Sequence, residues 1–159
     1  MPQGESPEVT LVQRLSALGL TLATAESCSG GLIAHRITNV PGASDCFAGG
    51  VVAYSNAVKM EVLGVSWECL EKHGAVSAET VTEMARGVLK RFSADVAVAV
   101  SGIAGPGGGT AKKPVGLVYI AVAKGGEARV ESPVFKGDRG LVKEQTAERA
   151  LTLLGELVE

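Results

Sequence analysis

The chain has 159 residues, 21 of them glycine, with 15 Lys and Arg against 17 Asp and Glu and a formal net charge of −2; that length fits one compact domain over residues 1–159 with a flexible start at 1–7. The near-balanced charge removes the electrostatic basis for tight, non-specific nucleic-acid binding. Cys28, Cys46 and Cys69 lack a C-x-x-C pair, the start has no signal-peptide pattern, and no apolar run reaches the ~18 residues of a membrane span, so the sequence reads as a soluble, cytoplasmic protein with no nucleic-acid or membrane partner.

Val9, Leu11, Val12, Leu15, Leu18 and Leu20 recur at helical spacing, opened by Ser6-Pro7-Glu8 as cap and first turn and closed at Gly19. Thr21 to Ala25 reads as a short strand, and the turn Ser27-Cys28-Ser29-Gly30-Gly31 leads into a helix over Leu32 to Thr38. Cys46 to Tyr54 resembles a strand interrupted at Gly49-Gly50, which marks a bulge or a close backbone approach. Ser55 caps a short helix holding Lys59 and Leu63, and a further helix over Ser66 to Lys72 ends at Gly74. Ser77 opens a longer helix whose face is Val81, Met84, Ala85, Val88 and Leu89.

Asp95 to Val100 is the apolar, β-branched run of a strand covered on both faces. After the loop Gly105-Pro106-Gly107-Gly108-Gly109, Val115 to Ala123 and Ala128 to Phe135 read as antiparallel strands joined near Gly125-Gly126. A closing helix spans Arg139 to Val158, with Leu141, Val142, Thr146, Ala150, Leu151, Leu153 and Leu154 as its buried stripe. One α/β domain with a mixed sheet accounts for this pattern.

Three polar clusters fall at predicted strand ends, where open α/β sheets bind ligands. Around Ser27, Ser29, Gly30 and Gly31 the backbone turns tightly, and the following helix offers N–H groups to an anion or a developing oxyanion; a plain capped turn is the competing reading. Tyr54, Ser55 and Asn56 precede Lys59, and a lysine desolvated beside a serine can lose its proton and act as a base; a solvated helix lysine is the alternative. Ser101, Gly102, Gly105, Gly107 and Gly108 lie on a loop that fails the P-loop pattern but can form a main-chain anion nest, or else is a surface connection. His35 and His73 stand in unrelated contexts, which speaks against a zinc site or a histidine triad. Cys28, at a predicted helix start, is a minority candidate nucleophile against a buried small side chain. Phe47 is a candidate for stacking on a planar ring.

Together, Thr24-Ala25-Glu26-Ser27-Cys28-Ser29-Gly30-Gly31, Gly50-Val51-Val52-Ala53-Tyr54-Ser55-Asn56 with Lys59, Gly74-Ala75-Val76-Ser77, Ser101 to Gly109, Lys113-Pro114-Val115-Gly116 and Gly137-Asp138-Arg139 resemble the CinA C-terminal domain family, the nicotinamide-mononucleotide amidohydrolases. The resemblance runs from about Leu11 to Leu154. It implies a three-layer α/β/α fold with a mixed, mostly parallel five-stranded sheet, and hydrolysis of the carboxamide of nicotinamide mononucleotide to nicotinic acid mononucleotide and ammonia, in pyridine-nucleotide recycling, without a metal or organic cofactor. It further implies a standalone form without the additional N-terminal domain of longer family members.

Carried onto this sequence, the resemblance makes Ser27 the nucleophile and Tyr54 and Lys59 its proton-transfer groups, with Lys59 acting directly or through Tyr54. Ser29 stands where many members have Thr. Ser29, Gly30, Gly31, Asn56, Ser101, Gly102, Gly105, Gly107 and Gly108 are the expected substrate-binding residues, with Lys113 or Arg139 on the 5′-phosphate and the oxyanion held around Ser29 to Gly31 or Gly102 to Gly105. The expected partner is a small nucleotide and the expected assembly a homo-oligomer. A catalytically inactive nucleotide-binding module and a different small-amide or ester hydrolase are the rival readings.

Overall fold

The computed structural model describes residues 4–159, so the first three residues of the expected flexible start lie outside the described residues. Helix α1 (Pro7–Leu18) already begins at Pro7, behind Ser6, whose side chain makes no capping bond, and it ends at Gly19 with φ +68°. Strand β1 (Leu22–Glu26) leads to α2 (Leu32–Thr38), β2 (Phe47–Val52), α3 (Asn56–Leu63), α4 (Trp67–His73) and α5 (Ala78–Arg91). Strands β3 (Val96–Gly102), β4 (Val118–Lys124) and β5 (Glu127–Glu131) follow, and α6 (Arg139–Leu157) closes the chain. Ser55, Ser66, Ser77 and Asp138 cap α3, α4, α5 and α6, each accepting a main-chain N–H.

The sheet has the order β2-β1-β3-β4-β5. β1 is parallel to β2 and β3, whereas β4 is antiparallel to both β3 and β5, so β4 alone is reversed and the sheet is mixed and mostly parallel. The Gly49-Gly50 irregularity is real: Leu22 pairs with Phe47 but Ala23 with Gly49. A Cβ on Gly50 would lie 2.2 Å from Thr24 Oγ1, a close approach that only glycine permits.

The strand sequences distinguish the two faces. On one face Leu22, Val96, Val98, Val100, Val118, Ile120 and Val122 pack against α1, α2 and α6, through Leu11, Leu15, Ile33, Ile37, Leu151 and Leu154. On the other, Ala23, Ala25, Ala97, Ala99, Ala121 and Ala123 meet Val81, Met84, Ala85 and Val88 of α5. Period-2 alternation of branched residues with alanine therefore sets a thick layer against a thin one, drawing α5, on which α3 packs, close to the strands. Close packing continues between those helices, since a Cβ on Gly87 of α5 would sit 1.8 Å from the Leu63 carbonyl oxygen of α3.

Several boundaries differ from the sequence reading. β4 starts at Val118 rather than Val115, because Gly116, at φ +94°, bends the chain while its amide and carbonyl bind Ile103 and Phe135. β5 ends at Glu131, since Pro133 has no N–H for the ladder; only an isolated Leu117–Val134 bridge extends the pairing. Leu141, expected in the buried stripe of α6, is 48% exposed, because the helix meets the core only from Val142 and Thr146 onward. Among the described residues, no helix is long and apolar enough to cross a membrane.

Candidate active site

From β1 the chain crosses to β2 on one side and later to β3 on the other, so the carboxyl ends of β1 and β3 diverge at a topological switch point. Ser27 follows β1, Tyr54 lies just beyond β2, and Ser101 and Gly102 end β3. These ends, the start of α3, the α4–α5 connection and Arg139 of α6 enclose a cleft of about 300 Å³, the lower end of the range for small-ligand sites. Ser27, Tyr54, Asn56, Lys59, Ser101, Gly102, Gly105, Gly107, Gly108 and Arg139 all line it.

At its floor Lys59 Nζ donates to Ser27 Oγ at 3.1 Å and to the Tyr54 carbonyl oxygen at 3.1 Å. Lys59 is only 1% exposed and has no carboxylate partner among the described residues. Burial holds its pKa below the ordinary lysine value, because desolvation disfavours the ammonium. A hydroxyl in contact with a desolvated amine is an arrangement that can support proton transfer from the one to the other. The Ser27 backbone is fixed as well: its N–H donates to the Val100 carbonyl at 3.0 Å, and its carbonyl accepts from Gly30 N at 3.1 Å.

Tyr54 has a different place. Its ring is 63% exposed and its hydroxyl accepts from Arg139 Nη2 at 3.0 Å, so its link to Lys59 runs through its main-chain carbonyl. Arg139 also donates from Nη1 to the Gly105 carbonyl at 2.8 Å, and it has no carboxylate partner among the described residues. It is a cation at the cleft mouth, free to pair with an anionic ligand. The loop amides of Ala104, Gly105, Gly107 and Gly108 donate to no other main-chain group among the described residues.

Ser29, Gly30, Gly31 and Lys113 stand outside the cleft lining. Gly30 and Gly31 take φ +61° and +101°, which the tight turn requires. Lys113 Nζ donates to the His73 carbonyl at 2.8 Å, pinning the glycine-rich loop to the end of α4. Ser29 Oγ donates to Glu26 Oε1 at 2.6 Å, and the same carboxylate accepts from Ile33 N at 2.8 Å and Ala34 N at 3.0 Å. The first amides of α2 are thus engaged by a buried side chain that the sequence reading quoted only as part of a motif. Its signal was a single charge at the end of an otherwise apolar strand.

Cys28 lines the cleft, and burial pushes its thiol up to about 11, which favours the neutral thiol over the thiolate that a cysteine nucleophile needs. Phe47 borders a separate groove with Pro41 and packs on the core, away from the candidate site. His35 contacts Asn39 and His73 faces Glu79; neither lines the cleft.

Comparison with known proteins matches the CinA C-terminal domain over residues 5–158. A CinA-like protein of Akkermansia muciniphila is 53% identical over 151 residues, 94% of this chain and 36% of that protein. A CinA-like protein of Chloroherpeton thalassium is 51% identical over 148 residues, 91% of this chain and 35% of that protein. The chain spans about a third of the length of the curated relatives it matches. Among solved structures, the competence/damage inducible protein CihA from Agrobacterium tumefaciens superposes with a TM-score of 0.91 at 41% identity, covering 100% of both chains. A CinA superfamily protein from Enterobacter cloacae gives 0.94 at 34% identity, covering 100% of this chain and 96% of its own. With its sequence and its fold both matching along its length, the chain belongs to the CinA C-terminal domain family.

Proposed function

We propose that this chain hydrolyses the carboxamide of nicotinamide mononucleotide to nicotinic acid mononucleotide and ammonia by serine nucleophilic catalysis. The observation that carries the chemistry is the 3.1 Å contact between Ser27 Oγ and a buried lysine whose proton is loosely held. The substrate is the one that the motif resemblance implies, and the cleft volume and the cation at its mouth are consistent with a mononucleotide.

Lys59 takes the Ser27 proton as Oγ bonds to the amide carbon, and the oxyanion is held by main-chain amides of the nucleophile turn or the Gly102 to Gly105 segment. The Ile33 and Ala34 amides are occupied by Glu26, and those of Gly30 and Leu32 by the Ser27 and Ser29 carbonyls. Within the turn this leaves Cys28, Ser29 and Gly31 as the main-chain donors with no oxygen partner among the described residues. The protonated lysine then gives its proton to the amide nitrogen, the C–N bond breaks and ammonia leaves. Water adds to the ester, Lys59 accepts its proton, the C–Oγ bond breaks and the proton returns to Ser27. Arg139 and the loop amides hold the 5′-phosphate.

The test is ammonia release from nicotinamide mononucleotide, with free nicotinamide as the phosphate-free comparison. Turnover of the nucleotide that is lost in Ser27→Ala and Lys59→Ala is expected. Saturable nucleotide binding without ammonia release would instead identify a non-catalytic binding module.

A further inference from the structure

We propose that Glu26 is a positioning residue for the nucleophile: its buried carboxylate ties the end of β1 to the start of α2 and so sets the turn that aims Ser27 Oγ at Lys59. This rests on the reading of Ser27 as the nucleophile. Glu26 is 1% exposed and directly precedes Ser27. Its Oε1 accepts from Ser29 Oγ and Ile33 N, and its Oε2 from Ala34 N.

The N-cap position of α2 is Gly31, which has no side chain and cannot cap. The usual local cap is therefore replaced by a carboxylate from the strand, closing the segment from residue 26 to 34 into a loop. Within that loop two glycines adopt left-handed backbone angles, a conformation with little preference of its own. The Ser29 hydroxyl on Glu26 holds the far side of Ser27, just as the Val100 carbonyl holds its N–H. The carboxylate does not line the cleft, so it acts on the geometry of the nucleophile rather than on the ligand.

A displacement of about 1 Å in a reacting group can cost ~100-fold in rate. Ser29→Ala removes one of the three donors and leaves both helix contacts, Ser29→Thr keeps the hydroxyl, and Glu26→Gln sets an NH₂ group among N–H donors. Three readouts apply: ammonia release from nicotinamide mononucleotide, the rate of Ser27 phosphonylation by an alkyl fluorophosphonate followed by intact mass, and the thermal midpoint. For Ser29→Ala, kcat and the phosphonylation rate are expected to fall about tenfold with KM within about twofold, and Ser29→Thr to restore both. Glu26→Gln is expected to lose about 100-fold in the same two rates.

Wild-type phosphonylation in Ser29→Ala, a loss confined to KM, or failure of Ser29→Thr to rescue would overturn the proposal, as would a wild-type Ser27 that the reagent does not label. If wild-type protein is phosphonylated at Ser27 but releases no ammonia from the nucleotide, the substrate reading fails, and Glu26 is still judged by the phosphonylation rates.

Discussion

Replacing Lys59 with methionine separates chemistry from stability. The lysine is 1% exposed, forms no ion pair among the described residues and makes two hydrogen bonds of 3.1 Å. Methionine of similar volume deletes those bonds, about 1 kcal/mol each. It also removes a buried amine, and exchanging buried charge for apolar volume is neutral to stabilising by ~1–4 kcal/mol. The two effects largely offset each other at the acid end, leaving a net change within about 2 kcal/mol of zero.

The sign of the pH dependence follows from the lowered pKa of Lys59. Between its folded-state pKa and the unfolded value of 10.5, the unfolded chain binds more protons, so the stability of the wild type rises with pH across that window. The stability of Lys59→Met relative to the wild type is therefore highest below the folded-state pKa and falls towards pH ~10. Meanwhile ammonia release is expected to fall at least ~1,000-fold, since base and nucleophile act as a unit. Thermal unfolding at several pH values alongside ammonia release checks both halves. A variant destabilised by several kcal/mol to the same extent at every pH, or one retaining near-normal turnover, would refute the reasoning.

Arg139→Ala is expected to raise KM for the nucleotide about 10- to 100-fold with a smaller change in kcat, the loss of a charge-assisted contact to phosphate, measured by steady-state ammonia release. The kcat/KM of the wild type is expected to rise with pH through a limb below the ordinary lysine value of 10.5, and a limb at or above it would exclude Lys59 as the base. Gly87→Ala drives a methyl group into the Leu63 carbonyl, with an expected loss of about 1–3 kcal/mol and a lower kcat as α3 and its lysine are displaced; unchanged melting would contradict the tight α3–α5 contact.

Much of the architecture was legible because local and tertiary preferences agree. The alternation of Val with Ala along Val96 to Val100 states both the strand and its two unequal faces, and α2 has the same limits in sequence and structure because Gly31 and Asn39 flank it. Gly116 and Pro133 interrupted runs that look extended, since apolar content does not reveal where a backbone must bend or lacks a donor.

At the site, Ser27 and Lys59 were recognisable as chemistry-bearing residue types, but their contact spans 32 residues and depends on α3 returning under the end of β1. Lys113 illustrates the opposite case. A cation beside a glycine-rich loop looks like an anion ligand, yet the fold brings it to the His73 carbonyl, where it ends a helix. Glu26 escaped a specific role because two of its three partners, seven and eight residues downstream, are main-chain amides that only the folded turn brings to it.

The most direct test of the central claim is to trap the covalent intermediate. Wild-type protein mixed rapidly with nicotinamide mononucleotide, quenched in acid and mapped by mass spectrometry is predicted to carry the acyl group on Ser27 while releasing ammonia, and Ser27→Ala to carry no adduct and to release none above background. Near-normal ammonia release by Ser27→Ala would contradict the account.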